Sequence, residues 1–344
     1  MRLDVAMSLL ERMLARFRAT GSGPDWPPPQ ISVALQGGGS FGAFASGVLD
    51  SLLEKTDVAF DAVSGASAGA VNAVLLAYGL LEGGRDGARA RLKRFWRKMS
   101  DKAALHGQAA LAATPLDFAL RTLSPYQFNP LNLNPLRDAL NEEVDFARLR
   151  AEAPIRLLVG ATRVSDGRQR IFRERELTAD MVLASACLPL LHHAIEIDGE
   201  AFWDGGYSAN PPLFPLVLNS QADDVLVVLV TPNVVDRTPM ARRDIVNRLE
   251  QIQFNATVNA EFEALRLGAI LRMSPKFSRL RLSRLAAEEE VEGLARESAG
   301  NLRRDFIDRL FEAGRAAGES WIERRVGAPR TAPPADRRGL SASV

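Results

Sequence analysis

Cysteine, histidine and net charge are all scarce in this 344-residue sequence, and each scarcity removes a class of explanation. A single cysteine, Cys187, excludes an intramolecular disulfide framework and fits a reducing, cytoplasmic setting. It reads as a small buried hydrophobe. Three histidines are too few and too scattered for a metal centre, and no acidic ligand cluster stands out, so neither a metal nor another cofactor is expected. With 43 Lys and Arg against 42 Asp and Glu, the chain has no electrostatic ground for binding nucleic acid. Long apolar runs are missing too. The stretch from Met1 to Arg18 interrupts every apolar run with charges, so neither a membrane span nor a secretory leader is expected there.

What remains is the composition of a soluble globular protein, 47% hydrophobic and 25% charged, long enough for one large α/β domain or two ordinary ones. Leu3, Met7, Leu10, Leu14 and Phe17 recur at helical spacing. The stretch from Met1 to Arg18 is therefore an amphipathic helix, which either docks on its own domain or makes a peripheral contact with anionic lipid at the inner membrane surface. Three consecutive prolines stiffen the linker that follows, so residues 1–30 precede the main body. Residues 327–344 read as a disordered tail. Strand and helix patterns alternate over residues 31–326, which predicts one layered α/β domain with a mainly parallel central sheet. Residues 155–162, 168–172 and 280–282 read as strands, and residues 225–231, continuously apolar, as a central one. Residues 71–81, 89–99, 135–141, 179–186 and 301–326 read as helices, and residues 242–271 as one long helix or a pair of them. Residues 105–133 are either a cap over an apolar site or a plain surface excursion.

Two glycine-bearing turns stand at the ends of the first two strands. Residues 31–35 lead into Gln36, then Gly37, Gly38, Gly39, Ser40, Phe41 and Gly42, ahead of a helix over residues 43–53. Strand, glycine loop and helix gather backbone N–H groups that can hold negative charge. That charge is either a dinucleotide pyrophosphate, for which Asp57 or Asp61 would serve the ribose, or the oxyanion of an acyl transfer. The second turn, Gly65-Ala66-Ser67-Ala68-Gly69, follows an apolar run from Phe60 and precedes a helix. This is the setting of a nucleophile elbow, in which a sharp turn exposes the serine hydroxyl. Farther on, Asp204 ends a short apolar run and is followed by Gly205 and Gly206, a carboxylate on a tight turn.

In order and context, the glycine loop, the elbow at Ser67 and the Asp204-Gly205-Gly206 turn resemble the signature blocks of the patatin-like phospholipases. Ala184-Ser185-Ala186-Cys187-Leu188-Pro189 is similar to the small-residue block that precedes the family's aspartate. The resemblance spans residues 31–212 and implies a three-layer α/β/α sandwich. It also implies a serine hydrolase of lipid carboxylic esters working through a dyad. Ser67 would be the nucleophile, Asp204 the base, and Gly37, Gly38 and Gly39 the oxyanion hole. Gly65 and Gly69 would shape the elbow, Gly205 and Gly206 the base turn. Two positions depart from the family pattern: Gln36 stands where aspartate is common, and Phe41 where a basic residue is. Phe41 offers only apolar surface to a phosphate, which leaves neutral lipids, lysolipids and other acyl esters open as substrates. The rival readings are a Ser-His-Asp esterase using His192 or His193, a nucleotide-binding module, and a non-catalytic lipid-binding protein.

Overall fold

The computed structural model describes residues 28–105, 123–271 and 273–326. The helix expected from Met1 to Arg18, most of the linker, residues 106–122 of the expected cap and the tail from residue 327 lie outside these. Among the described residues no helix is long and apolar enough to cross a membrane.

An eight-stranded sheet carries the fold. Its parallel part comprises β1 (Gln30–Leu35), β2 (Ala59–Ala66), β3 (Arg156–Arg163), β7 (Asp224–Leu229) and β8 (Arg281–Ala286), paired in the order β3-β2-β1-β7-β8. Three antiparallel strands, β4 (Gln169–Arg173), β5 (Ile195–Ile197) and β6 (Glu200–Asp204), are built onto β3 or onto one another. β7 lies between β1 and β8, one place from the sheet's edge and not at its centre. Its unbroken apolar run records cover on both faces.

Alternation along β1 shows how the layers form. Ile31, Val33 and Leu35 face one core with α1 (Gly42–Lys55), α2 (Ala68–Leu105), α3 (Ala179–Ser185) and α6 (Arg304–Val326). Ala34 faces a second, smaller core with α4 (Leu213–Asn219) and α5 (Arg242–Ile270). The result is a three-layer α/β/α sandwich. α2 breaks at Gly83 and Gly84, whose backbones are not helical, where the sequence pattern also breaks. Phe95 and Trp96 beyond the break turn into the core.

The contact of α1 against α6 depends on glycine. A Cβ at Gly47 would strike the Phe311 carbonyl, one at Gly314 the Phe44 carbonyl, and one at Gly318 the Ser51 hydroxyl. Backbones that approach this closely leave no room for a side chain.

Candidate active site

Ser67 follows β2 directly and opens α2. Its φ of 52° lies in the left-handed region that a non-glycine residue enters at a cost of about 1–3 kcal/mol. Two groups hold it there: its N–H donates to the carbonyl and to the hydroxyl of Ser185, both at 3.0 Å. The Ser185 hydroxyl in turn donates to the Gly160 carbonyl at 2.6 Å. The turn also needs its two glycines. A Cβ at Gly65 would sit 2.5 Å from the Ala70 nitrogen, and one at Gly69 would collide with the Leu35 carbonyl. Ser67 thus stands at a helix N-terminus, where the dipole favours negative charge.

Strand pairing brings Asp204 to this turn. Leu158, Val159 and Gly160 of β3 pair with β2 and with β4, so those two strands occupy opposite edges of β3. Ala161 and Thr162 pair with β4 and with β6, so β6 shares the edge of β2. Ala66 faces Gly160 and Asp204 faces Ala161, the next residue along. The two strands therefore meet end to end on one edge of β3, with the serine turn and the aspartate turn at the junction. Gly205 is needed there because a Cβ would strike the Gly160 carbonyl; Gly206 is needed because one would lie 2.5 Å from the Phe254 ring.

Asp204 is wholly buried. Its Oδ1 accepts the Gly206 N–H at 2.7 Å, while Oδ2 has no hydrogen-bond partner among the described residues. Burial pushes the carboxyl up to about 7, opposed in part by the Gly206 N–H and the Ser67 hydroxyl. Two neighbours stay protonated. Burial and the Asp204 charge push the Cys187 thiol up to about 12, and the same causes, with Glu250 added, raise the Tyr207 phenol to about 12. Cys187 is the inert buried residue the sequence suggests.

The glycine loop borders Ser67. A Cβ at Gly37 would be 2.6 Å from Ser67 Cβ. The Gly37 N–H is engaged by Asn210 Oδ1 at 2.6 Å, which removes it from the three amides expected to hold an oxyanion. Gly38 and Gly39 keep amides with no acceptor among the described residues. Phe41 also corrects its sequence reading: it turns into the core against Phe306, ring centroids 6.2 Å apart, and presents no surface to a ligand. Gln36 is a knot in the sheet. Its Oε1 accepts from the N–H groups of Val230 and Thr231 at 2.8 and 2.9 Å, and its Nε2 donates to Asn255 Oδ1 at 2.8 Å.

His193 has partners of its own. The His193 ring stacks on Tyr126 at 4.2 Å and its Nε2 is 3.1 Å from the Pro125 carbonyl, tying residues 123–128 to the loop between α3 and β5. Burial, and then His193, keep the His192 ring below the usual imidazole range. Tyr126, Leu131, Leu133, Leu190 and Leu191 are exposed along this described part of the expected cap and the loop it contacts. Sequence reasoning passed over Ser185 and Asn210 as individual residues, although a buried asparagine ahead of Pro211 and Pro212 is a visible polar mark in an apolar stretch.

A comparison with curated protein sequences found no match. Among solved structures, VipD from Legionella pneumophila is similar over 87% of this chain and 67% of its own, at 18% identity and a TM-score of 0.44. ExoU in its heterodimeric complex with SpcU, from the type III secretion system of Pseudomonas aeruginosa, is similar over 88% of this chain and 52% of its own, at 15% identity and a TM-score of 0.39. A further structure of the type III effector ExoU gives 16% identity, 88% and 54% coverage and a TM-score of 0.36, so this chain spans about half the ExoU chains it matches. A family model for patatin-like phospholipase matches residues 33–217, which is more than half of the sequence and contains the glycine loop, the Ser67 turn and Asp204. The chain belongs to the patatin-like phospholipase family and is, at the level of that family, a lipid acyl hydrolase.

Proposed function

We propose that the protein cleaves carboxylic esters of lipids through a dyad of Ser67 and Asp204. The observation that carries this reading is the junction of β2 and β6 on β3. It sets a strained serine at a helix N-terminus beside a buried carboxylate whose Oδ2 has no partner among the described residues. A base with a pKa of about 7 is matched to neutral conditions, and a catalytic hydrogen bond that is slack before substrate arrives tightens in the reacting complex.

The steps balance without a histidine. Asp204 Oδ2 takes the Ser67 proton as Oγ bonds to the acyl carbon, and the carbonyl oxygen becomes an oxyanion facing the Gly38 and Gly39 amides. Collapse breaks the ester C–O bond, and the leaving alkoxide takes the proton from Asp204. Water then attacks the acyl-enzyme as Asp204 takes one of its protons; collapse breaks the Ser67 Oγ–acyl bond, Oγ takes that proton back from Asp204, and the carboxylic acid leaves. The engagement of His193 with Tyr126 and Pro125 speaks against a triad built on it. Exposed Leu131, Leu133, Leu190 and Leu191 favour a substrate with an apolar acyl chain. With Phe41 buried, the glycine loop gives no basic contact to a phosphate from that position, so neutral lipids and lysolipids stand beside phospholipids as substrates.

A fluorophosphonate probe tests the nucleophile: wild type is labelled and Ser67→Ala is not. Asp204→Asn abolishes ester turnover while His192→Ala and His193→Ala retain it. Labelling that survives Ser67→Ala, or turnover lost with either histidine, overturns the dyad.

A further inference from the structure

Asn210 is wholly buried six residues beyond Asp204, and it holds Gly37 at both backbone polar atoms. Its Oδ1 accepts the Gly37 N–H at 2.6 Å and its Nδ2 donates to the Gly37 carbonyl at 3.2 Å. Thr231 Oγ1 donates to the same carbonyl at 3.0 Å. A planar trans peptide points its C=O and N–H to opposite sides. The Gly37 carbonyl and the Gly38 N–H belong to one such peptide, so fixing the carbonyl on Asn210 and Thr231 turns the Gly38 N–H away from both. With glycine on either side of it, that peptide has little intrinsic resistance to turning over.

The residue that does the holding is itself fixed at its backbone. The Asn210 N–H donates to Thr257 Oγ1 at 3.3 Å, and its carbonyl accepts from Gln36 Nε2 at 3.4 Å. Asn255, the other partner of Gln36 Nε2, lies with Thr257 on α5. Gly37 also packs directly on Ser67 Cβ, so the peptide being held borders the nucleophile.

Resting on the hydrolase reading above, we infer that Asn210 is a positioning residue, with Thr231 as second anchor. It fixes the Gly37–Gly38 peptide so that the Gly38 N–H meets the oxyanion formed at Ser67. Losing one such donor slows turnover by about 10²-fold to 10³-fold without weakening ground-state binding.

The test measures kcat and KM on a soluble aryl ester, with the affinity for a trifluoromethyl ketone whose serine adduct carries the oxyanion, in folded variants checked by thermal melting. Asn210→Ala is expected to lower kcat about 10²-fold, leave KM within about 3-fold and weaken the ketone in parallel with kcat. Asn210→Asp keeps the size and the acceptor but removes the donor, and Thr231→Val removes the other donor to the same carbonyl; each is expected to shift the same two quantities together. Folded Asn210→Asp and Thr231→Val with kcat and ketone affinity both at wild-type level, or a loss confined to KM, overturns the inference. A wild type without turnover or Ser67 labelling overturns instead the hydrolase reading beneath it.

Discussion

Replacing Asp204 by asparagine should stabilise the protein while silencing it, and the size of the gain follows from the burial of the carboxyl. Its pKa is about 7 in the fold against 3.8 for an ordinary aspartate. A gap of about 3 units at about 1.4 kcal/mol each is about 4 kcal/mol. The sign follows from proton binding: the folded state holds this proton more tightly than the unfolded chain does. The group's contribution is therefore intact below about pH 4 and is lost progressively as pH rises to about 7. Asparagine has the same shape and keeps the Oδ1 that accepts the Gly206 N–H, but it never ionises. The advantage of Asp204→Asn over wild type should be about 4 kcal/mol at pH 8 and roughly 1.5 kcal/mol at pH 5. Any pH-independent effect of the new amide cancels in the difference between the two, about 2–3 kcal/mol. Urea denaturation of both proteins at both pH values measures it. An advantage that is equal at the two pH values, or smaller at pH 8, would refute the argument that an unpaired buried charge is present.

The same carboxyl should govern the rate. For a soluble ester, kcat/KM should climb about tenfold per pH unit below about pH 7 and level off above, because Asp204 acts in its ionised form; a rate unchanged down to about pH 5 would exclude it as the base. Ser185→Ala removes the hydroxyl that joins the Ser67 N–H to the Gly160 carbonyl. It should cost about 1–3 kcal/mol in denaturant unfolding and slow fluorophosphonate labelling of Ser67. Phe41→Arg, which restores the family's basic residue, should not create a phosphate contact. It removes the packing on Phe306 and should lower stability by at least about 3 kcal/mol, read by thermal melting, with no gain on phosphate-bearing esters.

Local signals made much of this legible in the sequence. The three glycine turns are each dictated by a strand that must reverse within a few residues, and the glycines at 65, 69, 205 and 206 stand where a Cβ would collide. The break at Gly83 and the strands β3 and β4 were equally readable. Side-chain direction was not. Phe41 could have faced the loop or the core, and only the arrival of Phe306 from a distant helix decides for the core. Gln36 looks like a departure from a family pattern until Val230, Thr231 and Asn255 come beside it, each nearly two hundred residues or more away. The end-to-end meeting of β2 and β6 is also non-local, since it depends on how three strands share the two edges of β3.

The segment recognised by its family signatures ends at residue 217, but the glycine loop leans on chain beyond that point. β1 pairs with β7, Gln36 holds the start of the next loop, and the Ser40 N–H donates to the Ala299 carbonyl at 2.7 Å. α6 then presses its glycines onto α1, the helix that leaves the loop. Cutting the gene after the last signature would preserve every hallmark residue and still remove the wall that shapes the loop beside Ser67. For transplantation or directed evolution, the smallest portable unit is set by that wall and extends to the end of α6.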